Sequence, residues 1–187
     1  SLKASYLFQL TGKDKEGKSL RPCILWNDAR SFVECEEIMA REPRAVPMSG
    51  NIPLAGYTAP KLLWVKKHEP KIFDKVAKVL LPKDYIRYRM TGTYGSDMSD
   101  SSGTYWLDIA GRKWSDMLLA ASDMRRDQMP ELFEGTDVTG RLTASVAKAW
   151  GMPKRPVVAG GGGDNAASAC GMGAVTDGAG TLSIGTS

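Results

Sequence analysis

Short apolar runs rich in β-formers alternate along this chain with stretches of helical spacing, and turns bearing glycine or proline separate them. Residues 5–10 read as a strand, 12–18 as a polar, charged turn, and 20–26 as a second strand whose Pro22 suits an edge or a strand start. This pair is expected to form a hairpin. Residues 31–41 read as a helix, with Ser31 at the N-cap and Glu34 at the capping-box position. A loop over 42–56 leads to a helix over 58–68: Thr58 caps it, Pro60 lies in its first turn, Leu62, Leu63, Trp64 and Val65 supply its apolar surface, and Pro70 ends it. A helical turn at 71–76, a short buried strand at 78–81 and a helix over 82–90 closed by Thr91 and Gly92 follow. Residues 96–102 read as a polar loop, 113–121 as a helix, 129–132 as the start of a short turn, and 143–150 as a helix after Gly140. Last comes a β-branched run at 156–159, which enters four glycines and then a small-residue helix from Asp164 to Gly171.

Strands alternating with helices, glycine loops after strands and no internal repeat make this an α/β chain. Its 187 residues fit one domain, or a domain with a piece of another. A net charge of +4, from 25 basic and 21 acidic side chains spread rather than striped, does not point to nucleic acid. Tyr85, Arg87, Tyr88 and Arg89 mix aromatic with basic residues as single-strand binders do, but an amphipathic helix with a solvated basic face is the preferred reading. Three cysteines, Cys23, Cys35 and Cys170, without a Cys-x-x-Cys pair fit reduced thiols in a cytoplasmic protein. No signal peptide or membrane-length apolar run is seen, so no membrane partner is expected. The chain starts Ser1-Leu2 rather than with Met, so it is expected to be a processed or engineered piece.

Several chemistries drop out. Residues 12–19 match the Walker A spacing, yet Pro22 and a strand-like run follow where a helix N-terminus must face the phosphate. The Asp- and Ser-rich stretch 96–102 lacks the regular spacing and closing Glu of a calcium loop. His68, the only histidine, sits at a helix end beside lysines and reads as a surface residue facing the helix dipole. That sets aside histidine-dependent triads and zinc sites.

What remains is the glycine run. Four glycines free the backbone and allow close approach, and Asp164 and Asn165 stand at the mouth of the cleft they form, with Gly171 expected as the αL cap of the following helix. Asp164 reads either as a helix N-cap or as a base held ionised by the helix N-terminus, and the length of the glycine run favours a site. Asn165 reads about equally as a second capping residue or as a donor and acceptor for a polyol. Trp26 reads equally as core or as a platform for sugar C–H groups, while Trp64 and Trp150 are expected in the core.

Val-Val-Ala-Gly-Gly-Gly-Gly-Asp-Asn-Ala-Ala at 157–167 resembles the catalytic loop of the FGGY carbohydrate kinases, in particular those acting on xylulose. Supporting stretches run in family order: Arg-Pro-Cys-Ile-Leu-Trp-Asn-Asp-Ala-Arg at 21–30, Thr-Ala-Pro-Lys-Leu-Leu-Trp-Val at 58–65 and Leu-Leu-Pro-Lys-Asp-Tyr-Ile-Arg at 80–87. Ser-Asp-Met-Ser-Asp at 96–100 and Leu-Ser-Ile-Gly-Thr-Ser at 182–187 complete the set. The resemblance implies two ribonuclease-H-like (actin-like) domains with ATP and sugar between them. Residues 1–180 are then a partial first domain and 181–187 the start of the second. It makes Asp164 the catalytic base, puts Asn165 and Trp26 on the sugar, and turns Gly185 and Thr186 toward ATP phosphates or Mg²⁺. The implied reaction is phosphorylation of a pentulose, D-xylulose to D-xylulose 5-phosphate foremost, in a cytoplasmic protein, with a homodimer as the expected assembly. Ribulose, rhamnulose, gluconate or glycerol as substrate, and a sugar-binding module without catalysis, are the alternatives. The chain departs from the family pattern in lacking the Asp-x-Gly-Thr phosphate loop and the Met-His-Gly stretch, and its glycine run is one residue longer. On its own it is expected to be inactive.

Overall fold

The computed structural model describes residues 9–11 and 20–182, and its ladders are short and join distant segments. β1 (Gln9–Thr11) runs antiparallel to β2 (Lys78–Leu80), with Gln9 opposite Leu80. Of the hairpin expected between 5–10 and 20–26, residues 5–8 lie outside the described residues, Gln9 and Leu10 pair with β2 instead, and residues 20–26 join no ladder among the described residues. The physical reason is local. Pro22 has no N–H to give, and the Leu25 carbonyl is taken by Asp28 N–H (3.1 Å) and by Lys61 Nζ (2.6 Å). The Walker-like match at 12–19 and the residues Gly185 and Thr186 lie outside the described residues.

Helices α1 (Phe32–Arg41), α2 (Ala45–Ser49), α3 (Thr58–His68) and α4 (Pro70–Phe73) form the first half. Ile38 of α1 and Leu62 and Leu63 of α3 are buried with Trp106 and Leu118 in one apolar cluster. Two expectations for α1 fail: Ser31 makes no cap bond, and its Oγ instead donates to the Ala55 carbonyl at 3.1 Å. Glu34 is buried, so its carboxylate pairs with Lys67 (3.0 Å) instead of closing a capping box. α2 forms within the expected 42–56 loop and closes on Gly50 at φ 67°. α3 has the expected bounds, but Tyr57 occupies its cap position and Thr58 is buried in the first turn.

α5 (Pro82–Thr91) begins on its proline and ends at left-handed Gly92, as its sequence predicts. β3 (Gly95–Asp97) and α6 (Met98–Ser101) replace the expected polar loop, because Ser96, Asp97 and Ser101 are buried and Asp97 caps α6 by accepting from Asp100 N–H at 3.0 Å. A 3₁₀ turn (Ser102–Thr104) leads to β4 (Leu107–Asp108), which pairs with β5 (Lys113–Trp114). The helix expected over 113–121 thus starts as strand, and α7 (Asp116–Ala121) begins after Ser115, whose hydroxyl accepts from Leu118 N–H. A second 3₁₀ turn (Arg126–Gln128) precedes β6 (Glu131–Phe133), which lies parallel to β3 where only a turn was expected. β7 (Val138–Arg141), α8 (Ala144–Ala149), β8 (Val157–Ala159) and α9 (Asp164–Gly171) complete the order, with β8 antiparallel to β7.

The core tryptophans are not the expected ones. Trp106 and Trp114 are buried with their indole N–H groups bonded to Ser122 Oγ (2.7 Å) and the Pro130 carbonyl (2.8 Å). Trp150 is 59 % exposed, since it follows α8 where only Ala147 of that helix is buried. Trp64 is half-buried, stacked on exposed His68 with 4.5 Å between ring centroids. Among the described residues no helix is long and apolar enough to cross a membrane.

Candidate active site

β8 delivers the glycine run against the turn that joins β6 to β7. A Cβ on Gly160 would lie 2.2 Å from the Glu134 carbonyl oxygen, so only glycine fits there. Gly160 N–H bonds the Asp137 carbonyl and Gly161 N–H bonds the Gly135 carbonyl, both at 2.9 Å. Gly161 then takes φ +76°, and the chain turns away from the ladder into α9. Helix bonding begins with Ala167 N–H on the Gly163 carbonyl (2.9 Å), which makes Gly163 the N-cap and Asp164 the first helical residue. Asp164 is therefore not the N-cap its position in sequence suggests. Its carboxylate accepts one hydrogen bond among the described residues, from Asn165 N–H at 2.9 Å, and the side chain is exposed. Asn165 is exposed too, and no hydrogen bond of its side-chain amide is found among the described residues. Gly171 is helical and the left-handed residue is Gly173 (φ 77°), a correction of two positions at the helix end. Small residues dominate α9, which has no buried residue, and Ala166, Ala167 and Cys170 line an open cleft of about 670 Å³.

Behind the loop lies a charge network built from Lys83, Asp84, Arg87, Asp97 and Asp100. Arg87 is 5 % exposed; its guanidinium donates to the Gly160 carbonyl, to the Gly95 carbonyl (2.7 Å) and to Asp84 (3.2 Å). The expected solvated basic face of the 82–90 helix therefore fails at Arg87. The carbonyls of Gly160 and Gly95 need a donor, and a paired guanidinium provides several in one fork. Lys83 Nζ reaches Asp84 (2.6 Å), Asp97 (2.5 Å) and Asp100 (3.2 Å). Burial works to lower the Lys83 pKa, but the carboxylates of Asp84, Asp100 and Asp97 outweigh it and hold the ammonium charged. Burial likewise opposes ionisation of Asp97, yet bonds from Lys83, Ser99 and Asp100 N–H take its pKa below the usual carboxylate value. Asp100 goes the other way, raised by burial and by neighbouring Asp84 and Asp97. Ser99 Oγ donates to Asp97 Oδ1 (2.5 Å) and accepts from Gly163 N–H (2.9 Å).

The sequence gives no role to Lys83, Asp84, Asp97 or Ser99, and it puts Arg87 on a solvated face. A signal exists in the i,i+3 spacing of Asp84 and Arg87, and in Asp97-x-x-Asp100, an N-terminal helix pattern inside the supposed loop.

Trp26 is 49 % exposed, which removes the core reading. It sits in a turn closed by Asp28 N–H on the Leu25 carbonyl, and Lys61 Nζ ties that carbonyl to the Gly56 carbonyl (2.6 and 2.8 Å). Asp28 is held by Arg30, whose hydrogen bond lowers the carboxyl pKa to about 2. Trp26 does not line the cleft beside α9. No group of three metal-ligating side chains occurs among the described residues, and Asp84, Asp97 and Asp100 are engaged by Lys83 and Arg87. These carboxylates therefore do not fit a divalent cation.

The chain is thus an α/β domain that carries an exposed carboxylate on a glycine loop, backed by a buried ion-pair network. The model of the FGGY family of carbohydrate kinases, N-terminal domain, matches residues 9–171, and the chain belongs to that family. The xylulose kinase of Escherichia coli K12 is 58 % identical over 174 residues, 93 % of this chain and 36 % of that protein. The xylulose kinase of Klebsiella pneumoniae is 56 % identical over the same shares. The crystal structure of a xyloylose kinase from Brucella ovis superposes with a TM-score of 0.85 at 53 % identity, over 90 % of this chain and 34 % of that one. The xylulose kinase of Rhodospirillum rubrum gives 0.82 at 29 % identity, over 90 % of this chain and 35 % of that one. The fold is thus the actin-like, ribonuclease-H-like one of these sugar kinases, and the chain spans about a third of the length of the relatives it matches.

Proposed function

We propose that this chain is the sugar-binding, base-carrying part of an ATP-dependent pentulose kinase that converts D-xylulose to D-xylulose 5-phosphate. The observation that carries the reading is Asp164: an exposed carboxylate, one hydrogen bond from its neighbour's amide, on a loop fixed from behind. The names of the relatives support xylulose as the sugar.

Transfer of a phosphoryl group to an alcohol needs alignment, charge neutralisation and one acceptor for the hydroxyl proton. In this reading the Asp164 carboxylate takes that proton as the sugar oxygen forms its bond to phosphorus and the bridging oxygen of ATP leaves. Asn165, its amide exposed beside Asp164, donates to and accepts from sugar hydroxyls, and the exposed Trp26 face receives sugar C–H groups. ATP is the proposed phosphoryl donor, and Mg²⁺ bound with it would supply neutralisation of its phosphates. Gly185 and Thr186 are proposed to face those phosphates on the strength of the family resemblance alone.

The test is turnover of the full-length protein on a panel of ketopentoses, wild type beside Asp164→Asn. Turnover of D-xylulose falls by about 10²–10⁴ while sugar binding is retained. Unchanged turnover makes Asp164 a helix residue only, and the mechanism then rests elsewhere.

A further inference from the structure

The glycine run is fastened at both ends by side chains distant in sequence. At its start Arg87 of α5 holds the Gly160 carbonyl, and at its end Ser99 of α6 holds the Gly163 N–H at 2.9 Å. Between the two fastenings only Gly161 and Gly162 intervene. Glycine has the largest backbone freedom of any residue, so a run of four without an anchor at its far end has no intrinsic direction.

The Ser99 hydroxyl has its polarity fixed. Its proton goes to Asp97 Oδ1 at 2.5 Å, which leaves a lone pair for Gly163 N–H. Asp97 in turn is fixed, 1 % exposed, ion-paired to Lys83 and accepting from Asp100 N–H. Gly163 immediately precedes Asp164, so the peptide whose N–H Ser99 receives sits one residue from the base.

We infer that Ser99, which lines the cleft beside α9, is a positioning residue for Asp164, aligning the carboxylate through the Gly163 peptide. The inference rests on the reading of Asp164 as the base. A misplacement of about 1 Å at a reacting group costs about 10²-fold in rate, whereas the same hydrogen bond treated as a purely structural contact has no reason to act on turnover selectively. Ser99 is exposed, so its truncation leaves the core untouched.

The experiment uses the full-length protein with Ser99→Ala, Ser99→Thr and Asp164→Asn beside wild type. The kcat for D-xylulose falls about 10- to 100-fold in Ser99→Ala with KM changed less than about threefold, and Ser99→Thr, which keeps the hydroxyl, recovers most of kcat. Amide hydrogen exchange at Gly163 and Asp164 accelerates in Ser99→Ala and not in Ser99→Thr. Wild-type kcat in Ser99→Ala beside an inactive Asp164→Asn overturns the inference and leaves the base assignment standing. Wild-type turnover in Asp164→Asn removes the base assignment, and the exchange measurement then still decides whether Ser99 holds the loop. If Ser99→Ala does not fold, Ser99→Cys, with its weaker acceptor, provides the graded comparison, and wild-type exchange rates there count against the inference.

Discussion

Lys61 is a cation with 1 % exposure, its ammonium spent on two backbone carbonyls, those of Leu25 and Gly56. Burial lowers its pKa to about 8. An unfolded lysine titrates near 10.4, so between about pH 8 and 10.4 the unfolded chain holds a proton that the folded chain has released. Stability attributable to Lys61 therefore rises with pH across that window, by about 2–4 kcal/mol at most. Cys35 acts in the opposite sense. Burial pushes its thiol up to about 11, so the unfolded thiol ionises first and stability falls from about pH 8.5 upward. In urea titrations the two trends offset in the wild type, while Lys61→Met shows the falling limb alone. Parallel pH curves for the two proteins count against the Lys61 assignment. Since Lys61 holds the turn that displays Trp26, the same substitution raises KM for the sugar in the proposed enzyme.

The β8–glycine–α9 element separates two kinds of glycine. Gly160 has the Glu134 carbonyl 2.2 Å from where a Cβ would be, whereas nothing lies within 4 Å at Gly171. Gly160→Ala forces backbone apart and costs about 1–3 kcal/mol in chemical denaturation. Gly171→Ala, in the last turn of a helix, is neutral or stabilising by up to about 1 kcal/mol. Equal effects of the two substitutions mean that the approach to the 134–135 turn is not what selects glycine. The same element shows where sequence is legible. α3, α5 and α8 follow from local punctuation, with proline in the first turn or threonine at the cap, and all three formed close to their expected bounds. β3 and α6 did not follow, because Ser96 and Asp97 look like loop residues until Lys83 arrives from α5 to neutralise the carboxylate. Arg87 misled for the same reason: on its own helix it is one of several basic residues, and only the carbonyls of Gly95 and Gly160 give it a place inside. Asp164 and Asn165 were visible because the glycine run is a local feature. Their helical register, one position later than the cap, depended on Gly163 and was not.

At the scale of the molecule, the sites expected for sugar and for phosphate are unequally represented. Trp26, Asp164 and Asn165 lie within the described residues, while no three-residue metal-ligating group does. The purified 187-residue chain, which spans about a third of the length of its relatives, is predicted to give no ATP-dependent turnover of D-xylulose in a coupled assay, and measurable turnover refutes this. The Arg87 contact has one more consequence. The residue that sets the start of the loop lies 73 positions upstream of Gly160, so the geometry of the carboxylate is not encoded in the loop. Grafting residues 156–171 onto an unrelated scaffold transfers the letters of the motif and not its shape. A transplant that keeps the shape must carry the α5 and α6 side chains as well.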